Sequence, residues 1–256
     1  MRSAFVGEVI VIFLFQNMHT IPDTHQLYIM GDYHENSDLL TEILTSPAMM
    51  SEPVSLIMLG DYDAHTAAQL SSFEDVLSRY DVHCYLMRGN HDNPNLWQDR
   101  GIADIFETSK FKLLEDVDVL KWRGKQMLAV GGAVSVDRTC IRYDEGLCWP
   151  ETEGIASDVL YQVKKLMSKG RGFDVLLTHT GLLKDVPVVN PFTESYASTD
   201  PNLLADLQKE RDTITRIQML SGIEEHYFGH FHRNRESLEY GISMHCLDIC
   251  EVVQLE

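Results

Sequence analysis

Short apolar runs alternate with stretches of helical period along most of the chain. Runs at 26–30, 55–59 and 82–87 read as strands, while 37–43, 64–80 and 96–106 carry a helical pattern, the first capped by Asn36 or Ser37. The middle of the chain predicts strands at 112–114, 119–122 and 126–130, the last two joined by an Arg123-Gly124 turn. A helix at 155–167, a strand at 173–177 and a helix within 201–220 follow, and strands at 226–228, 235–240 and 243–249 close the chain. This is a βαβα succession followed by a strand-rich half, an α/β fold with one shared core. No repeat, low-complexity tract or Pro/Gly/Ser linker interrupts it, so 25–256 is expected to form a single domain. Two loops, 135–154 and 181–200, are long enough to carry function.

Residues 1–24 stand outside the pattern. Apolar positions 4–15 follow Arg2, but Glu8 interrupts them and no small-x-small cleavage site follows in 16–20. The run is also too short to span a bilayer, so an N-terminal extension or extra strand is expected rather than an export signal.

Composition adds a charge argument. The 256 residues suffice for one buried core, and 44 % apolar with 23 % charged is ordinary for a globular protein. Lys plus Arg number 21 against 39 Asp plus Glu, a formal charge of −18. That field repels polyanions at long range and argues against nucleic acid as a partner. Without a membrane segment, a small molecule is the expected partner; homo-oligomerisation stays open. The five cysteines (Cys84, Cys140, Cys148, Cys246, Cys250) form no CxxC pair and are odd in number, which suits a reducing, cytoplasmic setting. Cys246 and Cys250 read as buried small hydrophobes rather than metal ligands.

The chemistry sits at the ends of the apolar runs. Gly31-Asp32-Tyr33-His34, Gly60-Asp61, Gly89-Asn90-His91-Asp92, His179 and Gly229-His230-Phe231-His232 each follow a strand-like segment. In a largely parallel sheet the strand C-termini share one edge, where ligands bind. Asp32, His34, Asp61, Asn90, His179, His230 and His232 are therefore expected to converge. Imidazole and carboxylate without thiolate suit hard-to-borderline divalent metals. Asp32-x-His34 and His230-x-His232 would point both side chains the same way on an extended segment. Seven donors exceed one ion and suit two ions sharing a bridge.

In this order the motifs resemble the signature of the calcineurin-like metallophosphoesterase superfamily: D-x-H, G-D, G-N-H-D/E, a lone H and G-H-x-H, here between 31 and 232. The segment Gly131-Gly132-Ala133-Val134-Ser135-Val136-Asp137 is similar to one found in bacterial and phage members. The resemblance implies a four-layer α/β/β/α β-sandwich flanked by helices. It implies that Asp32, His34 and His232 bind one metal, that Asn90, His179 and His230 bind the other, and that Asp61 bridges them. It places His91 beside the leaving group with Asp92 orienting it, and Arg88, with Asn90, at the substrate phosphate. Two divalent ions are implied, manganese first, with iron, zinc, nickel or cobalt as alternatives. The stretch Gly60-Asp61-Tyr62-Asp63-Ala64-His65 departs from the Ser/Thr protein phosphatase version, which argues against a protein phosphatase.

Two such ions with Asp32 and Asp61 leave about two positive charges at the centre, enough to attract a phosphoryl group despite the acidic surface. The expected activity is hydrolysis of a phosphomonoester or phosphodiester by a hydroxide held between the ions, with His91 protonating the leaving alkoxide. A nuclease and a non-catalytic protein-binding scaffold are the alternatives. The first lacks a basic stripe, and the second would be expected to have lost ligands. His19, His25, His65, His83, His226 and His245 are read as surface or core residues. In the 135–154 loop, Trp149 either lines the pocket or packs the loop down.

Overall fold

The computed structural model describes residues 18–99, 101, 110–139, 146–170 and 172–256. Two sheets face each other. One orders its strands as β12 (Val252–Leu255), β2 (Gln26–Met30), β3 (Val54–Met58), β4 (Val82–Leu86) and β5 (Phe111–Leu113). Strands β2 to β5 run parallel, and β12 is antiparallel to β2. The other sheet orders β1 (Met18–Thr20), β6 (Val117–Trp122), β7 (Lys125–Val130), β8 (Val175–Thr178), β9 (Glu225–Phe228), β11 (Ile242–Cys246) and β10 (Arg235–Glu239). Its centre, β7 to β8 to β9 to β11, is parallel, and the β6–β7 and β10–β11 hairpins are antiparallel.

Side-chain alternation divides each strand between two layers. Leu27, Ile29 and Ile57 point between the sheets and meet Leu120, Met127, Ala129, Val175 and Leu177. Their neighbours Tyr28, Met30, Leu56 and Met58 point outward under α1 (Ser37–Leu44) and α3 (Ala67–Leu77), onto Leu40, Leu44, Leu70 and Phe73. On the far side, Val119, Leu128, Val130 and Leu176 meet Val159, Val163 and Leu166 of α5 (Val159–Met167) and Ile217 of α7 (Leu203–Ser221). The result is the expected four-layer α/β/β/α sandwich. Strands covered on both faces need apolar residues at every position, which is why they read as unbroken runs.

Local signals set the connections. Arg123 and Gly124 both have positive φ (44° and 84°), the two-residue hairpin geometry that matches strand twist. Helix α3 begins at Ala67, later than the sequence pattern predicts, because Thr66 and Gln69 close a capping box there. That leaves 64–66 to the motif loop.

Several elements differ from the sequence reading. The closing strand expected at 243–249 ends at Cys246. There the chain crosses to the other sheet, with Leu247 N–H donating to Phe228 and Cys250 N–H to Asp32, and becomes β12. A four-residue edge strand has too few alternating positions to announce itself. Two short helices, α2 (Pro47–Met50) and α6 (Pro191–Ala197), lie where loops were expected. Helix α4 covers Pro94–Gln98; of the rest of the expected 96–106 helix, 100 and 102–106 lie outside the described residues, as do 1–17, 107–109, 140–145 and 171. Within the 1–24 extension, Met18–Thr20 forms β1, an edge strand parallel to β6. No helix among the described residues is long and apolar enough to cross a membrane.

Candidate metal centre

The five motifs leave the C-terminal ends of β2, β3, β4, β8 and β9, so both sheets contribute to one edge. All seven expected donors meet there. One ligand atom from each of Asp32, His34, Asp61 and His232 lies within 4.8 Å of the others, and the same holds for Asp61, His179 and His230. Asp61 belongs to both groups. The Asn90 carboxamide oxygen joins the second, at 2.9 Å from His179 Nε2 and 2.9 Å from His230 Nδ1.

Tight turns make the convergence geometrically feasible. His34 (φ 45°), Asp61 (φ 55°), Asp63 (φ 54°), His230 (φ 67°) and His232 (φ 49°) all adopt the left-handed conformation that side chains disfavour. Such strain persists only where surroundings over-determine it, and it clusters at functional sites. Gly89 and Gly229 bring backbone against the carboxylates: a Cβ on Gly89 would collide with Asp61, and one on Gly229 with Asp32.

The donor set fits divalent cations. Asp32 and Asp61 are buried carboxylates, and among the described residues neither pairs with Lys or Arg. Their partners are imidazoles and the backbone N–H groups of His230 and His91. His34 Nε2 and His232 Nε2 face each other at 2.9 Å, with Asp32 Oδ2 at 3.1 Å from the latter. Lone pairs converging on one point in this way are relieved by a positive ion. The rings are also held from behind, as metal-ligating histidines are: His34 Nδ1 by Asp63 at 3.1 Å and His179 Nδ1 by the Leu59 carbonyl at 2.9 Å.

Electrostatics follow from this crowding. Burial opposes a proton on His179, but the charges of Asp61 and Asp32 prevail and push its pKa up to about 9. Burial, reinforced by the positive charge of His179, pushes His230 down to about 3. Burial would raise Asp61, yet His179, His91 and His34 hold it well below the usual carboxylate range. In the metal-free centre Asp61, 3.2 Å from His179 Nε2, thus favours a proton on that ring. Metal binding competes with protons on His179 and His34, both of which hold them more tightly than free imidazole, so apparent affinity is expected to rise with pH. Manganese titrations at three pH values check this, and a pH-independent affinity contradicts it.

A calcineurin-like phosphoesterase sequence profile matches residues 21–234, most of the chain. The protein belongs to this family. Among solved structures, the phosphopantetheinyl hydrolase of Mycobacterium tuberculosis superposes with a TM-score of 0.51 at 17 % identity, over 90 % of this chain and 91 % of that one. A second structure reaches 0.60 at 12 % identity over 91 % and 98 %. A putative 5'-nucleotidase from Staphylococcus aureus gives 0.46 at 12 % identity, over 87 % of this chain and 48 % of that one. These likenesses concern the fold. No curated protein sequence matches the chain.

The structure revises two expectations within the family signature. Asp92 does not orient His91. Its buried carboxylate instead accepts four backbone N–H bonds, from Asp61 (3.0 Å), Tyr62 (2.9 Å), Ala64 (3.2 Å) and Gly89 (2.9 Å), and so clamps the second and third motif loops together. Burial and the charge of Asp61 push its pKa upward, against the N–H groups of Gly89 and Ala64. The carboxylate that holds His91 is Asp63, whose Oδ1 lies 3.0 Å from His91 Nδ1 while its Oδ2 holds His34. Burial would raise Asp63, but its bonds to His34 and His91 take it down to about 2.

Arg88 is the other revision. Its guanidinium is buried and turned away from the donors, to Asp116 Oδ1 (2.9 Å) and the carbonyls of Glu153 (2.6 Å) and Gly154 (3.2 Å). It is a structural clamp. Arg88→Leu is expected to cost roughly 3 kcal/mol in a denaturant melt, since it strands buried carbonyls and a carboxylate, while sparing metal content. A variant that melts like the wild type but binds phosphate poorly would restore the expected role.

The 131–137 segment gains one through Ser135, whose Oγ accepts from Asn90 Nδ2 at 2.9 Å and turns the carboxamide oxygen inward. Ser135 is held by Glu153, a fully buried residue that carried no sequence signal. The other histidines have structural partners: His19 pairs with Asp118 (2.8 Å), His25 with Ser55 (3.0 Å), and buried His226 with Thr178 (2.7 Å). His83 packs edge-on against His25, and His245 stacks on Tyr227. Trp149 lies near His65 (ring centroids 5.8 Å apart) and does not line the cavity at the donors.

Proposed function

We propose that the protein hydrolyses a small organic phosphate ester at a centre of two divalent ions. One observation carries this reading: Asp61 belongs to two adjoining donor clusters, each completed by residues from distant strands. Asp32, His34 and His232 would hold one ion, Asn90, His179 and His230 the other, and Asp61 both. Such a pair supplies a water of lowered pKa and countercharge for the phosphoryl oxygens.

The chain's own residues do the rest. Asn90, His91 and His230 line a cavity of about 410 Å³ beside the donors, within the range of small-molecule sites. With Nδ1 engaged by Asp63, a proton handed to the departing oxygen comes from His91 Nε2. Ser135 and Leu59 keep Asn90 and His179 in their working orientations.

The test is turnover of an aryl phosphate and of a bis-aryl phosphate, with manganese tried first and chelator as control. Chelator-sensitive release from the monoester supports a phosphatase, and preference for the diester a phosphodiesterase. No turnover of either with metal bound contradicts the proposal and favours a scaffold of the same fold.

A further inference from the structure

We infer that the substrate carries an apolar group next to the hydrolysed phosphoryl and a second anionic group beyond it. This rests on the phosphoesterase reading above and concerns the part of the cavity that binds the remainder of the molecule. The wall away from the metal donors is unlike the rest of this acidic surface. Val186, Pro187, Val188 and Phe192 from the 181–200 segment present carbon to it, joined by Phe231 between the two motif histidines.

Phe192 is 58 % exposed, and the neighbouring Val189 is 56 % exposed. Large apolar side chains left in water at the mouth of a polar site gain when a ligand covers them. Phe192 is also held in place. It packs edge-on against Tyr196 with ring centroids 5.1 Å apart, and Asn190 fixes the start of α6 by accepting from the N–H groups of Phe192 (3.0 Å) and Thr193 (3.1 Å). A preformed apolar wall of this kind binds without a large ordering cost.

Charge points to the second group. Arg211 and Arg233 both line this cavity, and among the described residues neither makes an ion pair, in a chain with 39 acidic and 21 basic residues. Arg211 is part-buried and donates to the carbonyl of Val186, which fastens the cation to the apolar wall. Its guanidinium has Glu210 as a charged neighbour but no carboxylate at ion-pair distance, so an anionic ligand would offset the cost of its burial. The contrast lies in a neighbouring cavity of about 380 Å³, where Arg138 is already matched by Asp200 (2.6 Å) and Asp206 (2.7 Å).

Calorimetry on the metal-loaded protein with three phosphonates, which cannot be hydrolysed, tests the inference: methylphosphonate, hexylphosphonate and 6-phosphonohexanoate. Hexylphosphonate is expected to bind about tenfold tighter than methylphosphonate, and Phe192→Ser to abolish that advantage without altering methylphosphonate binding. Arg211→Met is expected to weaken 6-phosphonohexanoate about tenfold and to leave hexylphosphonate unchanged. If the three ligands bind alike, or if both variants weaken all three equally, the inference is overturned while the metal centre stands. If none binds with metal present, the phosphoesterase reading fails and the inference falls with it.

Discussion

Asp61→Ala is expected to empty both metal positions and bring turnover to background. Asp61 is the sole anionic member of the group formed with His179 and His230, because the fourth donor there, Asn90, is neutral. Without it, one position keeps only uncharged ligands, and the other keeps Asp32 alone among carboxylates. The loss of transition-state charge stabilisation amounts to several kcal/mol, a fall of about 10³-fold or more in kcat. Elemental analysis of dialysed protein supplies the second readout. The variant's burial site is polar, and His91 N–H loses its 2.9 Å acceptor, so Asp61→Asn, which keeps the shape, should be measured alongside. Retention of two ions per chain by Asp61→Ala would remove Asp61 from the bridge.

His91→Ala is expected to lower turnover by about 10²–10⁴-fold on an alkyl phosphate ester, less on an aryl ester, and to leave metal content intact. The difference arises because a poor leaving group needs its proton during bond cleavage, whereas a phenolate departs without one. Asp63→Asn separates this role from that of a simple structural carboxylate. Asp63 holds the backs of both His91 and His34. The variant should therefore lose part of the leaving-group effect and also bind metal about 10–100-fold more weakly, the usual consequence of removing a carboxylate behind a ligating histidine. Its acid side follows from the depressed pKa. In the folded protein Asp63 stays charged until pH falls through about 2, so the stability it contributes is present above the unfolded value of 3.8 and lost below it. Unchanged hydrolysis of an alkyl ester by His91→Ala would leave it without a chemical role.

The parts legible in the sequence are those where one residue type has one physical reason to be present. Asp32, His34, Asp61, Asn90, His179, His230 and His232 could be found because polar side chains at the ends of apolar strands have few purposes, and the structure brings all seven together. The doubly covered strands could be found because burial on two faces leaves continuous apolar runs such as Leu27 to Met30. Partner choice was harder to read. Asp92 and Asp63 both lie near His91, and sequence alone cannot tell that the Asp92 carboxylate is occupied by four backbone N–H groups while the left-handed turn at Asp63 aims its side chain at the imidazole. Arg88 went astray for the same reason. A guanidinium beside a phosphate motif reads as a phosphate contact until the carbonyls of Glu153 and Gly154, some sixty residues away, are seen to claim it. Helix α6 does carry a local signal, since Asn190-Pro191 followed by Thr193 is a capping pattern inside the 181–200 segment.

Anomalous diffraction from a crystal of the full chain equilibrated with manganese would count the ions at this edge of the sheets. Two peaks are expected, one enclosed by Asp32, His34 and His232 and the other by Asn90, His179 and His230, with Asp61 touching both. A single peak lacking Asp61, or no peak at this edge of the sheets, would contradict the two-ion centre.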